Sequence, residues 1–183
     1  MFAIPIFDAC HFFNADITGC PLTIAASSCL TGAAVRYDGA SKDFGPLHAW
    51  PAAQIRTLPI CPEVGAGLTV PRPPVQLVAT NRRAAPRARG RDIKTLDVTT
   101  ALEQFAHTSL QQLRAESTLC GYIWKSRSPS CGLGSTPLFN DTDTQIDVVS
   151  GIQAHHIVTA LPWLAHIEET QLLAPTVAAR FLL

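Results

Sequence analysis

Three cysteines occupy the same kind of place in this chain. Cys29 ends the apolar run "LTIAASSC" (22–29), and Cys61 ends "RTLPIC" (56–61). Cys131 lies in "KSRSPSCG" (125–132), just past the run "LCGYIW" (119–124). The runs have the length and the small or branched composition of buried strands. If those strands lie parallel and side by side, their ends bring three thiols to one edge of the sheet. Three thiolates suit a metal centre. Four would close a tetrahedral zinc or iron–sulfur site, whereas three leave one metal position open to a substrate. The competing reading, a small buried hydrophobe, fits Cys120 inside its apolar run better than it fits thiols in loops. Cys10 and Cys20 share that reading. No CxxC pair occurs, so a zinc ribbon or thioredoxin-type motif has no support.

Each of the three thiols has polar company. Cys29 is followed by a glycine turn and then Arg36, Tyr37 and Asp38. Cys61 has Glu63 two residues on, Gly65 and Gly67 for close backbone approach, and Arg72 between prolines. Cys131 follows Ser128 and Ser130, two hydrogen-bonding hydroxyls, with Lys125 and Arg127 just upstream.

The elements that would position these loops are legible in outline. Residues 98–117 place Leu102, Phe105, Ala106, Leu110 and Leu113 near a 3.6-residue period, with Thr99 or Thr100 as N-cap. A second helix over 150–161 is stopped by Pro162, and the tail "APTVAARFLL" forms a last short one. "VQLVAT" (75–80) is a fourth strand candidate. Strands alternating with helices predict an α/β fold: a single domain with a mostly parallel sheet and helices on both faces. In such sheets ligands bind beyond the carboxyl ends of the strands.

The bulk composition agrees. At 183 residues one domain buries roughly two-thirds of its unfolded surface without disulfides. Hydrophobic content of 47% against 15% charged excludes a disordered chain, and a net charge of zero argues against whole-molecule attraction to nucleic acid. One local asymmetry stands out: Arg82, Arg83, Arg87, Arg89, Arg91 and Lys94, with Asp92 the only acid among them, in a stretch that reads as a mobile connection. It is a solvated loop or, as the sharper alternative, a phosphate or RNA contact. The first residues lack a basic n-region and a continuous apolar core, and no run approaches a membrane span. A cytoplasmic protein is expected, in which cysteines serve as thiols or metal ligands.

"SSCLTGAAVRYDG" (27–39), "CPEVGAGLTVPRPP" (61–74) and "KSRSPSCG", in that order, together resemble a bacterial family that includes the thiouracil desulfurases. The similarity spans roughly residues 22–170, leaving 1–21 as an N-terminal extension to a domain over 22–183. The resemblance implies a Rossmann-like α/β domain with a 4Fe-4S cluster held by Cys29, Cys61 and Cys131, with the fourth iron open. It implies removal of sulfur from a thiolated pyrimidine base such as 2-thiouracil, giving the oxo base and hydrosulfide. Glu63 is the expected general acid/base, with pairing to Arg72 as its plainer role, and Ser128 is expected to orient substrate or relay a proton unless it only forms a turn. Arg36, Asp38 and Ser130 are expected to bind substrate or fix the loops. The chain departs from the family pattern at Thr31, Ala40 and Gln76. Two alternatives stand beside this reading: a non-catalytic metal-binding protein, and a cluster enzyme acting on thiolated RNA.

Overall fold

The computed structural model describes residues 21–182. Cys10, His11 and Cys20, and with them the expected extension, lie outside the described residues. Among the described residues eight strands and five α-helices follow in chain order: β1 (Leu22–Ser27), α1 (Gly45–His48), β2 (Ile55–Ile60), α2 (Pro62–Gly65), β3 (Val75–Val78), β4 (Arg87–Gly90), α3 (Thr99–Ala115), β5 (Leu119–Trp124), β6 (Thr136–Phe139), β7 (Gln145–Val149), α4 (Ile152–Ala160), β8 (Ala165–Glu168) and α5 (Pro175–Leu182). Four strands form a wholly parallel sheet in the order β2-β1-β5-β8. Parallel strands need both faces covered, and the sequence supplies both. Ala25, Ile60, Tyr122 and Trp124 face Leu113 of α3 and Ala154 and Ile157 of α4. Ile24, Ala26, Cys120 and Ile123 face Leu30, Phe44, Leu47, Leu172 and Phe181. β5, buried along its whole length, is the centre of this α/β, Rossmann-like arrangement.

The other four strands form a second, mixed sheet in the order β4-β3-β6-β7, in which β3 pairs β6 in parallel and the outer pairs are antiparallel. A single sheet was expected, and "VQLVAT" was expected to extend it; it lies here instead. α3 joins the two sheets, with Leu102 near its start in the core of the mixed sheet and Leu113 near its end under the parallel one.

Two local expectations need correction. The stretch expected to be a mobile connection contains β4, an edge strand. Arg82, Arg87, Arg89, Arg91 and Lys94 each reach a carboxylate: Asp147, Asp97, Asp97 and Asp141, Asp92 and Asp143 respectively. Charged side chains on an edge strand also hinder strand-to-strand aggregation. At the start of α3, Thr99 is not the N-cap. Its hydroxyl accepts the Ala88 amide, and Asp97 Oδ1 accepts the Thr99 amide at 3.0 Å. Burial alone would push the Asp97 carboxyl up, but hydrogen bonds from Arg87 and Thr99 outweigh it and hold the group at about 2.

Candidate active site

The loops that follow β2, β1 and β5 leave the same edge of the parallel sheet, because those three strands are neighbours with aligned ends: Ser27 pairs with Ile60, and Ala26 with Ile123. They enclose a cavity of about 370 Å³ whose wall includes Cys29, Cys61 and Cys131. Of the other residues expected to act, Glu63, Ser128 and Arg36 line it, whereas Asp38 and Ser130 are not part of its wall. Thr31, Ala40 and Gln76, where the chain departs from the family pattern, are not part of its wall.

Each thiol is placed by a different local device. β1 hands over to a 3₁₀ turn, Ser28–Thr31, closed by Gly32 at φ 87°, a left-handed conformation suited to glycine. Cys29 is the second residue of that turn. Cys61 is the N-cap of α2, with Pro62 at the first helical position, where its missing amide is no loss. Cys131 is buried in a turn organised by Ser128, whose Oγ accepts the Ser130 and Cys131 amides at 3.3 and 3.1 Å. Both bonds use the oxygen as acceptor, so the hydroxyl proton remains available to the cavity. The expected turn-forming role and a substrate role are therefore compatible.

Behind the Cys131 loop stand α4 and the end of β8. The first amides of α4, which have no intrahelical partner, donate to loop carbonyls: Ile152 to Pro129 at 3.0 Å and Ala154 to Ser130 at 3.2 Å. A Cβ on Gly151 would lie 2.5 Å from the Ser130 carbonyl carbon and 2.8 Å from the Cys131 nitrogen. Gly151→Ala is expected to displace this loop and destabilise the protein by about 1–3 kcal/mol. At this chain length that is a fall in Tm of roughly 2–12 °C by calorimetry.

Sequence reading missed two residues here. Glu168 and Glu169 are each only 7% exposed. Glu169 accepts the Ser126 amide at 2.7 Å and its hydroxyl at 2.8 Å and pairs with Lys125, while Glu168 accepts the Leu133 amide at 2.7 Å and the Ser135 hydroxyl. Their only signal is a pair of acids ending the short run "AHIEE". Glu63 and Arg72 do pair, Arg72 Nε donating to Glu63 Oε2 at 2.7 Å, while Ser130 Oγ donates to Glu63 Oε1 at 3.2 Å. Arg36 and Asp38 form an ion pair at 3.4 Å, and Asp38 also accepts the Ala40 amide, which closes the Cys29 loop.

The described cysteines are free thiols. Cys120 lies on the other face of the sheet, where its thiol donates to the Thr23 carbonyl, and it takes no part in the cavity. Among the described residues no three His, Cys, Asp or Glu side chains are gathered tightly enough for a single metal ion. A cluster differs, since its ligands attach to separate irons and stand further apart. The donor set fits such a group: three soft sulfurs from three loops around one cavity. The electrostatics also fit. Burial, and then the nearness of Cys61, push the Cys29 thiol up to about 11. Burial likewise raises Cys61 and raises Cys131 strongly. Without a cationic centre the three remain protonated thiols at neutral pH.

That has a testable consequence for the metal-free protein. A thiol of the unfolded chain ionises near its ordinary 9.0, and Cys29 of the folded chain near about 11. Between these values the unfolded chain binds fewer protons, so stability falls as pH rises, by roughly 3 kcal/mol for this group. The urea midpoint of metal-free protein is expected to drop between about pH 8 and about pH 11 more than that of Cys29→Ser.

The family model of 2-thiouracil desulfurase matches residues 24–169. Among solved structures, the 4Fe-4S-dependent thiouracil desulfidase TudS aligns with 28% identity and a TM-score of 0.63 over 86% of this chain and 96% of that one. No curated protein matches the sequence at a significant level. No helix of the described residues is long and apolar enough to cross a membrane. The matched span contains all three strand-end thiols together with Glu63, Ser128 and the buried carboxylates behind them, and the chain belongs to the 2-thiouracil desulfurase family.

Proposed function

We propose that this protein is an iron–sulfur-dependent desulfurase that converts a thiolated pyrimidine base such as 2-thiouracil into the oxo base and hydrosulfide. The observation that carries the reading is the convergence of Cys29, Cys61 and Cys131, from three separate loops, on one cavity that Glu63 and Ser128 also line. Family membership and the likeness to a 4Fe-4S-dependent desulfidase support the cluster. The three thiolates would hold it, leaving one iron without a protein ligand. When bound, such a cluster supplies a Lewis-acidic iron with affinity for the soft thiocarbonyl sulfur.

The chain's own residues do the rest. The net reaction breaks the carbon–sulfur bond, forms a carbon–oxygen bond from water, and releases hydrosulfide and a proton. Glu63, as a carboxylate, takes a proton from the attacking water, and each of its oxygens keeps a lone pair beyond the bonds to Arg72 and Ser130. The Ser128 hydroxyl donates to the carbonyl oxygen of the base, which orients the ring, or relays a proton during attack. Of the basic residues lining the cavity, Arg36, Arg72, Arg91 and Lys125 are paired with Asp38, Glu63, Asp92 and Glu169, which leaves Lys42 and Arg127 as the wall's cations without an ion pair among the described residues.

Pairing of the basic stretch with acids favours a small base over thiolated RNA as substrate. A cytoplasmic setting, where thiols stay reduced, would suit the cluster. The test is anaerobic reconstitution with iron and sulfide, then incubation with 2-thiouracil. Uracil and hydrosulfide in equal amounts are expected; a loaded enzyme that leaves 2-thiouracil intact would contradict the substrate assignment.

A further inference from the structure

A general base is useful only if its carboxylate is held where the water will be. Glu63 sits in a helix of four residues at the start of a long loop, and its own backbone does little to fix the end of the side chain. What fixes it is Arg72. This arginine is buried, its side chain 5% exposed, and three of its five N–H donors are committed: Nε to Glu63 Oε2 at 2.7 Å, one Nη to the Thr69 carbonyl at 3.1 Å, the other to the Val35 carbonyl at 2.8 Å. Its backbone amide donates to the Tyr37 carbonyl at 2.9 Å. The guanidinium is thus anchored to the Cys29 loop through Val35 and Tyr37 and presents Nε to the residue two positions past Cys61. Ser130, fully buried beside Cys131, holds the second Glu63 oxygen. The Glu63 carboxylate therefore ties the Cys61 loop to the Cys131 loop directly and to the Cys29 loop through Arg72.

We infer that Arg72 is a positioning residue for the desulfuration reaction: it sets the rotamer of Glu63 and registers the Cys61 loop against the Cys29 loop, without itself taking part in proton transfer. The inference rests on the reading of Glu63 as general base. The planar fork is what the task requires, since a lysine ammonium offers a point charge and cannot hold two carbonyls and a carboxylate in a fixed plane.

The experiment is a double-mutant cycle on reconstituted enzymes of matched iron content, using Arg72→Gln, Glu63→Gln and the double variant. Arg72→Gln is expected to lower kcat about 10–100-fold, the scale of losing an orienting partner, with KM changed by less than about threefold. The double variant is expected to be no slower than Glu63→Gln alone, because Arg72 acts through that carboxylate. Losses that multiply would overturn the inference and leave Glu63 as base. A fully active Glu63→Gln would overturn the reading beneath it, and the inference with it. A second cycle on metal-free protein, read as urea midpoints, is independent of turnover and is expected to show coupling between the two residues; additive midpoints would mean the contact does not operate, and would also overturn the inference. If Arg72→Gln does not fold, Arg72→Lys, which keeps the charge and loses the fork, takes its place with the same expectations.

Discussion

Cys131→Ala is expected to abolish hydrosulfide release from 2-thiouracil, a loss of more than about 100-fold, because changes to the partners behind a metal ligand already cost about 10–100-fold. Cys131 is the most deeply buried of the three thiols, and its turn is fixed by Ser128, by the start of α4 and by the crowding at Gly151. Among the described residues Cys120 cannot take its place, since it lies across the sheet. The variant is expected to bind iron weakly or lose it on desalting, shown by iron content and by the visible absorbance of the reconstituted sample. Its fold should survive, because an alanine fills most of the space of a small side chain. Wild-type iron content with wild-type turnover would remove Cys131 from the site.

Glu63→Gln separates the cluster from the chemistry. The substitution keeps shape and hydrogen-bonding atoms and removes the ability to accept a proton at neutral pH. Iron content should match the wild type, while kcat falls about 10²–10⁴-fold, the range for losing a general base. Arg72 then faces an amide where it had a carboxylate. In a pair this buried, 5% and 13% exposed, the weakened charge-assisted bond is expected to cost about 1–3 kcal/mol in denaturant unfolding. A variant with both normal iron and normal kcat would leave Glu63 a purely structural partner of Arg72.

The site was more legible in the sequence than the fold around it. Strands β1, β2 and β5 announce themselves as apolar runs, and a cysteine at or just past the end of each fixes where the thiols must go once the strands are parallel neighbours. The mixed sheet announces itself poorly. Its strands have four or five residues, and "RARG", "TPLF" and "QIDVV" carry arginines, a proline and an acid that suit edges more than cores. Burial there comes from packing against α3, a property of the tertiary structure.

Glu168 and Glu169 were invisible for a different reason. Their partners Ser126, Leu133 and Ser135 lie 33 to 43 residues away in sequence, and nothing local marks a carboxylate that will be buried by amides from another loop. Arg72 was visible as a partner for Glu63, since two prolines stiffen its loop. Its grip on Val35 and Tyr37 depends on how two loops meet, which spacing alone does not encode.

The central claim is that three protein sulfurs hold a four-iron cluster with one iron left for substrate. Mössbauer spectra of enzyme reconstituted anaerobically with ⁵⁷Fe, taken before and after addition of 2-thiouracil, test it most directly. The account predicts a cluster in which one iron of the four is distinct and alone changes its signal when 2-thiouracil binds. Iron sites that are all insensitive to 2-thiouracil, in a sample fully loaded with cluster, would contradict it.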